Sequence, residues 1–407
     1  MSLGWLAMER ERDDNSVHGG LQQPISAGIV AVLVGYTSSF AVVLTGLRAV
    51  GATPGQAASG LLALCLTQAV GMLWLSRRHR IPVVLAWSTP GAALLAASTT
   101  LDGGWPVAVG AFLVAGVAYL VTGLWPALGR LIGLIPAPIA QAMLAGVLLS
   151  LCLAPVTAVR DDPAAILPIV VVWLAGVRFA PRWAVPAAFL TAGVVIGVDM
   201  ARTSTSIPGS ALVPELSFTT PEWSWAAMVG IALPLYVVTM ASQNVPGFAI
   251  MTSLGYSVPW RSSLVTAGVA TMLGAASGGH SSNLAAISAA LAGGPPAGPD
   301  PKRRWIASQS GGWTYVVLGV ASTALAAVVA VAPAGVIATV AGLALLGTLA
   351  TALQAAVAEP SGREAAVITF LVAASGITAF GIGSAFWALV AGLVVHLALS
   401  TPDRRHR

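Results

Sequence analysis

From about residue 25 to residue 400 the chain is one apolar run after another, broken by short loops and by Gly and Pro, with no alternating period-two pattern. Runs of this kind exclude a soluble globular fold and an outer-membrane barrel. In lipid every backbone N–H and C=O must find a partner within the protein, and uninterrupted apolar stretches achieve that as helices. Charged residues make up 8% of the chain, against about 25% in ordinary soluble domains. The reading is an all-α polytopic membrane protein. Cys65 and Cys152 both lie inside apolar runs and read as small core residues rather than a disulfide or metal pair.

About fourteen segments begin near Ile25, Pro54, Ile81, Trp105, Pro136, Ala164, Arg182, Trp223, Arg261, Gly278, Ser308, Pro333, Arg363 and Gly381. The third and tenth are short and interrupted by Pro or Gly. With both termini cytoplasmic, only Arg48, Arg160 and Arg202 fall outside, and the other sixteen of the 19 basic residues fall inside. The positive-inside rule favours this parity, although twelve spans with two merged pairwise give the same charge distribution. The basic balance of +5 therefore reads as orientation in an inner (plasma) membrane, with the lipid bilayer as partner and no nucleic acid.

Weak internal similarity relates the two halves. "SFAVVLTGLRAVGATPGQA" from Ser39 matches "QNVPGFAIMTSLGYSVPWRS" from Gln243, aligning Gly51 with Gly255; "AWSTPGAALLAAS" from Ala86 matches "GGHSSNLAAISAAL" from Gly278. Seven segments per half is an odd number, so the second half enters the membrane inverted, as in many secondary transporters. The expected organisation is a cytoplasmic tail 1–24, a first repeat 25–200, a connector 201–222, a second repeat 223–400 and a cytoplasmic tail 401–407.

A half-helix starting mid-membrane leaves its first N–H groups unpaired and the positive end of its dipole facing the space ahead. In the third segment Ser88 and Thr89 are expected caps and Pro90 suits the first turn. In the tenth, Gly278 and Gly279 allow close backbone approach, while His280, Ser281 and Asn283 supply hydrogen bonds. Two such N-termini meeting mid-membrane form an electropositive pocket without Arg or Lys, suited to a small carboxylate. Polar residues at Tyr36 to Ser39, including Ser38, and at Gln243 and Asn244 interrupt apolar segments nearby; polar glue between helices is the competing role for the last two. Tyr36, Phe40, Trp87 and Phe248 offer faces for a planar ring, or simple packing. All 14 acidic residues lie in tails, loops or segment ends, which leaves His280 as the proton carrier within the polar cluster; a structural histidine hydrogen-bonded between helices is the alternative.

At these residues the chain resembles the benzoate membrane transport protein family, the benzoate–proton symporters. The resemblance rests on "SQNVPGFA" at Ser242, "GGHSSNLAAISAAL" at Gly278, "GPDPKRRW" at Gly298, "AGLALLGTL" at Ala341, "EAAVITFLVAASGI" at Glu364 and "GIGSAFWALVAGL" at Gly381. It is dense over residues 225–400 and looser but colinear before them. It implies proton-coupled benzoate uptake, and kinship with the uracil-permease and sulfate-permease superfamily: seven plus seven inverted spans, core and gate domains, and short strands before two half-helices. Carboxylates that serve substrate or proton in that superfamily correspond here to Gln243, Asn244 and His280. The departure suits an anionic substrate, which a buried carboxylate would repel.

The expected function is thus a symporter importing benzoate or a similar aromatic carboxylate with protons by alternating access. The carboxylate would lie between the N-termini opened by Ser88 and Thr89 and by His280 and Ser281, the ring against Tyr36, Trp87 or Phe248, with Gln243 and Asn283 completing the hydrogen bonds. A nucleobase or inorganic anion on the same fold is the alternative, and an anion channel a weaker one. No nucleophile motif or metal-spaced set suggests an enzyme, no cofactor or metal is expected, and a homodimer is compatible with the sequence.

Overall fold

The structure, a computed structural model, describes residues 21–98, 102–125, 127–128, 135–360 and 362–399. Residues 1–20 and 401–407 of the expected tails, with Arg10, Arg12, Arg404, Arg405 and Arg407, lie outside them, as does Arg130. Among the described residues the apolar runs become fourteen helical segments. The first half holds α1 (Gln22–Ala49), α2 (Pro54–His79), α3 (Thr89–Ala96), α4 (Gly104–Leu124), α5 (Ala137–Asp161), α6 (Pro163–Phe179) and α7 (Ala184–Thr203). The second holds α8 (Trp225–Ser253), α9 (Trp260–Ala275), α10 (Ile287–Gly293), α11 (Trp305–Ala330), α12 (Val336–Ala356), α13 (Arg363–Ala374) and α14 (Ser384–Leu399). Among the described residues, eight helices are long and apolar enough to span a membrane.

Two layers of packing follow. In the core, α11 packs on α1 and α2, and α4 on α9; in the gate, α5 packs on α12 and α13, α13 on α14, and α6 on α7. Small residues let backbones approach where no hydrophobic force draws helices together in lipid. A Cβ at Gly268 of α9 would strike Gly116 and Leu120 of α4, and one at Gly342 of α12 would strike Leu151 and Pro155 of α5.

The correspondence of the halves shows in their turns. After α1 the chain reverses through Gly51 at φ +104°, and after α8 through Gly255 at φ +86°, the pair aligned in the sequence. That left-handed conformation is open to glycine at little steric cost.

α3 and α10, of 8 and 7 residues, are only about 12 and 10 Å long, far short of the roughly 30 Å hydrocarbon core. Each is completed by a strand: β1 (Leu85–Trp87) precedes α3 and β2 (Ser282–Leu284) precedes α10. The strands pair antiparallel, Ala86 opposite Asn283, and the ladder extends through Ser88 N–H to Ser281 O and Ala285 N–H to Val84 O. Their backbone groups are thereby satisfied within the membrane.

This pairing moves the start of the tenth helix. The sequence places its opening at Gly278, whereas the structure starts it at Ile287. Backbone from Ser281 to Ala285 is committed to the strand ladder, so helical hydrogen bonding begins only after it. Gly278, at φ +95°, instead turns the chain after α9 and lies against Gly60 and Trp105.

α8 is irregular for an equally local reason. Two π-helical stretches, Met228–Ala232 and Met240–Asn244, each end two residues before a proline, Pro234 and Pro246. A proline ring clashes with the carbonyl four residues back and donates no hydrogen bond, so the preceding turn widens.

Candidate functional site

A cavity of about 100 Å³ lies where α1, the β1–α3 junction, α8, the β2–α10 junction and α11 meet. Ser38 and Ser39 of α1, Trp87 of β1, Thr89 of α3, Gln243 of α8 and Ser288 of α10 give it its chemistry. Tyr315 of α11 closes one side, and Gly35, Ala285 and Ala286 bring backbone to the wall. Among the described residues none of the lining side chains is charged. Ligand sites usually begin near 300 Å³, so this space suits a small solute.

The aromatic wall is fixed from behind. The Trp87 indole N–H donates to Ser39 Oγ at 2.6 Å, and Ser39 Oγ donates to Gly35 O at 2.7 Å. Tyr36 packs against Trp87 with centroids 5.2 Å apart and shares a 3.0 Å hydrogen bond with Ser322. Tyr315 meets the indole edge-on at 6.3 Å. Tyr36 therefore supports the wall and does not line the cavity itself.

The two half-helix N-termini differ. Ser88 Oγ accepts from Gly91 N–H at 3.0 Å and pairs with Thr239 at 2.6 Å, so α3 is capped by its own chain. α10 has no side-chain cap, and its opening residues Ala286 and Ser288 face the cavity. The Thr89 hydroxyl and the Gln243 amide make no hydrogen bond among the described residues, and Ser288 Oγ donates only weakly, to Ala31 O at 3.3 Å. Donors thus converge on the cavity with capacity to spare.

The π stretch of α8 explains the division of labour between neighbours. Gln243 reaches the cavity, while buried Asn244 accepts the Leu284 N–H through Oδ1 at 2.9 Å and secures β2.

Of the residues expected at the site, Ser38, Trp87, Thr89 and Gln243 come together as its lining, with Ser88 as the cap beside them. Phe248 stacks on Trp260 at 4.5 Å, apart from the lining, and Phe40 meets Phe189 of α7. His280, Ser281 and Asn283 do not open α10 and lie outside the cavity wall. His280 is buried, its Nε2 donates to Ser88 O at 2.9 Å, and its ring lies edge-on to Phe112. Ser281 pairs with Tyr119 at 3.0 Å, and Asn283 donates to Leu284 O at 2.8 Å. Sequence reasoning reached Ser39 only as the end of the polar stretch Tyr36 to Ser39, and missed Ser288 and Tyr315. Ser288 carried a signal, a hydroxyl in "AAISAAL"; Tyr315 carried none.

The chain matches the family profile described as benzoate membrane transport protein over residues 21–398. It is 39% identical over 384 residues to the inner membrane protein YdcO of Escherichia coli, covering 94% of this chain and 97% of that one. It is 31% identical over 379 residues to the benzoate membrane transport protein of Acinetobacter baylyi, covering 92% and 95%. Among solved structures it resembles the transmembrane domain of the cyanobacterial bicarbonate transporter BicA, with TM-score 0.56 and 14% identity over 93% of this chain and 97% of that one. It also resembles SLC26A9, with TM-score 0.63 and 13% identity over 94% and 66%. At such identities the likeness is one of fold, seven plus seven inverted segments.

Proposed function

The chain belongs to the benzoate membrane transport protein family, and on that premise we propose that it imports benzoate or a similar aromatic carboxylate together with protons by alternating access, the substrate resting in the cavity between α1, α3, α8 and α10. The observation that carries this reading is the cavity's composition: one flat aromatic wall facing uncommitted hydroxyl and amide donors, with no carboxylate to repel an anion. The ring lies against Trp87, braced by Tyr36 and Tyr315. The carboxylate accepts from Thr89, Gln243 and Ser288 at the uncapped start of α10.

His280 carries the coupled proton without touching substrate. Its Nε2–H bonds the carbonyl of Ser88, the residue before Thr89, while its Nδ1 has no hydrogen-bond partner. A proton arriving on Nδ1 places positive charge beside the α3 cap, one residue from the carboxylate, so anion and proton favour each other. The arginine distribution supports a topology with both termini in the cytoplasm.

Uptake of radiolabelled benzoate into proteoliposomes under an inward proton gradient tests the reading. Accumulation above empty liposomes is expected, lost in His280→Ala under the gradient while equilibrium exchange persists. Absence of wild-type uptake, with uptake of labelled uracil or sulfate in the same vesicles, would replace the cargo.

A further inference from the structure

Away from the cavity, α2 and α9 leave a groove of about 320 Å³ between them on the outer surface of the core. Leu66, Val70 and Trp74 of α2 and Val265, Val269 and Leu273 of α9 form its walls. Val70 and Leu273 are each 67% exposed and Trp74 51%, so this face is directed to the membrane. The stretch from Leu66 to Trp74 spans about 12 Å of helix.

The stripe then changes character at one end only. On α2 the positions three and four beyond Trp74 are Arg77 and Arg78; on α9 the position four before Val265 is Arg261. Residues so spaced share a helix face, and α2 ends at the membrane face where α9 begins. All three arginines are exposed, and none forms an ion pair among the described residues, where the single pair joins Arg303 to Asp300. Trp74 stands at the border, where an indole favours headgroup depth.

We propose that this groove binds an anionic glycerophospholipid, its acyl chain between α2 and α9 and its phosphate held by Arg77, Arg78 and Arg261. The observations favour a lipid because the surface repeats a phospholipid's own polarity: an apolar channel, an interfacial aromatic, then cations at one end. Arginines in this position attract an anionic leaflet, and guanidinium matches phosphate geometry. By the arginine distribution that leaflet is the cytoplasmic one.

Native mass spectrometry of the detergent-purified full chain, titrated with phosphatidylglycerol or phosphatidylcholine of identical acyl chains, decides it. The wild type is expected to retain phosphatidylglycerol more strongly by about tenfold or more. The R77Q/R78Q/R261Q variant loses that preference, and Val269→Trp, which fills the groove, loses the retained lipid of both kinds. Equal retention of the two lipids by the wild type overturns the proposal, as does an unchanged preference in the triple variant. Displacement by glycerol phosphate lacking acyl chains would reduce the site to a phosphate site and overturn it too. A shift in monomer–dimer ratio in Val269→Trp with lipid retention unchanged would make the groove an interface between copies.

Discussion

Gln243 sits in an apolar helix and lines the cavity with a side-chain amide that makes no hydrogen bond among the described residues, while its neighbour Asn244 accepts from β2 through Oδ1 and donates from Nδ2 to Met240 Sδ. An uncommitted amide is costly in a membrane unless a ligand uses it. Gln243→Ala is expected to weaken benzoate binding by about 10–100-fold, the range for one hydrogen bond to a charged group, with thermal stability unchanged; competition of unlabelled against labelled benzoate measures it. Asn244→Ala should instead lower stability by about 1–3 kcal/mol, because it leaves the buried Leu284 N–H without a partner. The contrast separates a binding residue from a structural one at adjacent positions, and a thermal unfolding series in detergent reads it.

At the scale of elements, α3 was legible and α10 was not. Ser88, Thr89 and Pro90 announce an N-terminus by local chemistry, and the cap forms where that chemistry puts it. "GGHSSN" carries similar polar signals, yet its backbone is claimed by β1, almost two hundred residues away in sequence, and no local rule reports a non-local partner. The proline positions in α8 were readable, but the widened turns that aim Gln243 and Asn244 apart follow from clashes seen only in three dimensions. Tyr315 lay hidden because an aromatic in an apolar run has no local marker.

"PKRR" is a further case. Its arginines read as a topology signal, but Arg304 is buried and holds the far end of α10, donating from Nη1 to Gly293 O and from Nε to Gly298 O, both at 2.8 Å. A lysine cannot reproduce that fork. Arg304→Lys is expected to destabilise the protein by about 1.5–3 kcal/mol, read as a lower midpoint in detergent unfolding, whereas Arg303→Lys on the exposed side should change little.

At the scale of the molecule, alternating access requires the core to move against the gate. α1 touches α7 through Phe40 and Phe189, whose centroids are 5.6 Å apart. Cysteines at both positions, F40C and F189C, are expected to be bridged by a short bis-methanethiosulfonate reagent and the bridge to halt uptake, with recovery on reduction; native Cys65 and Cys152 are buried and leave the assay clean. Continued uptake by fully cross-linked protein would mean that this contact is not one that opens.

The β1–β2 ladder also sets a timetable for biosynthesis. β1 is made with the first half, but its partner emerges with Leu284, roughly 10–40 s later at ordinary rates of synthesis. Through that interval Leu85 to Trp87 has unpaired backbone inside or beside the membrane, and the cavity has no second wall. The amino-terminal half alone should therefore be inert and short-lived in the cell, while the same half supplied together with a separately translated carboxy-terminal half regains a complete site.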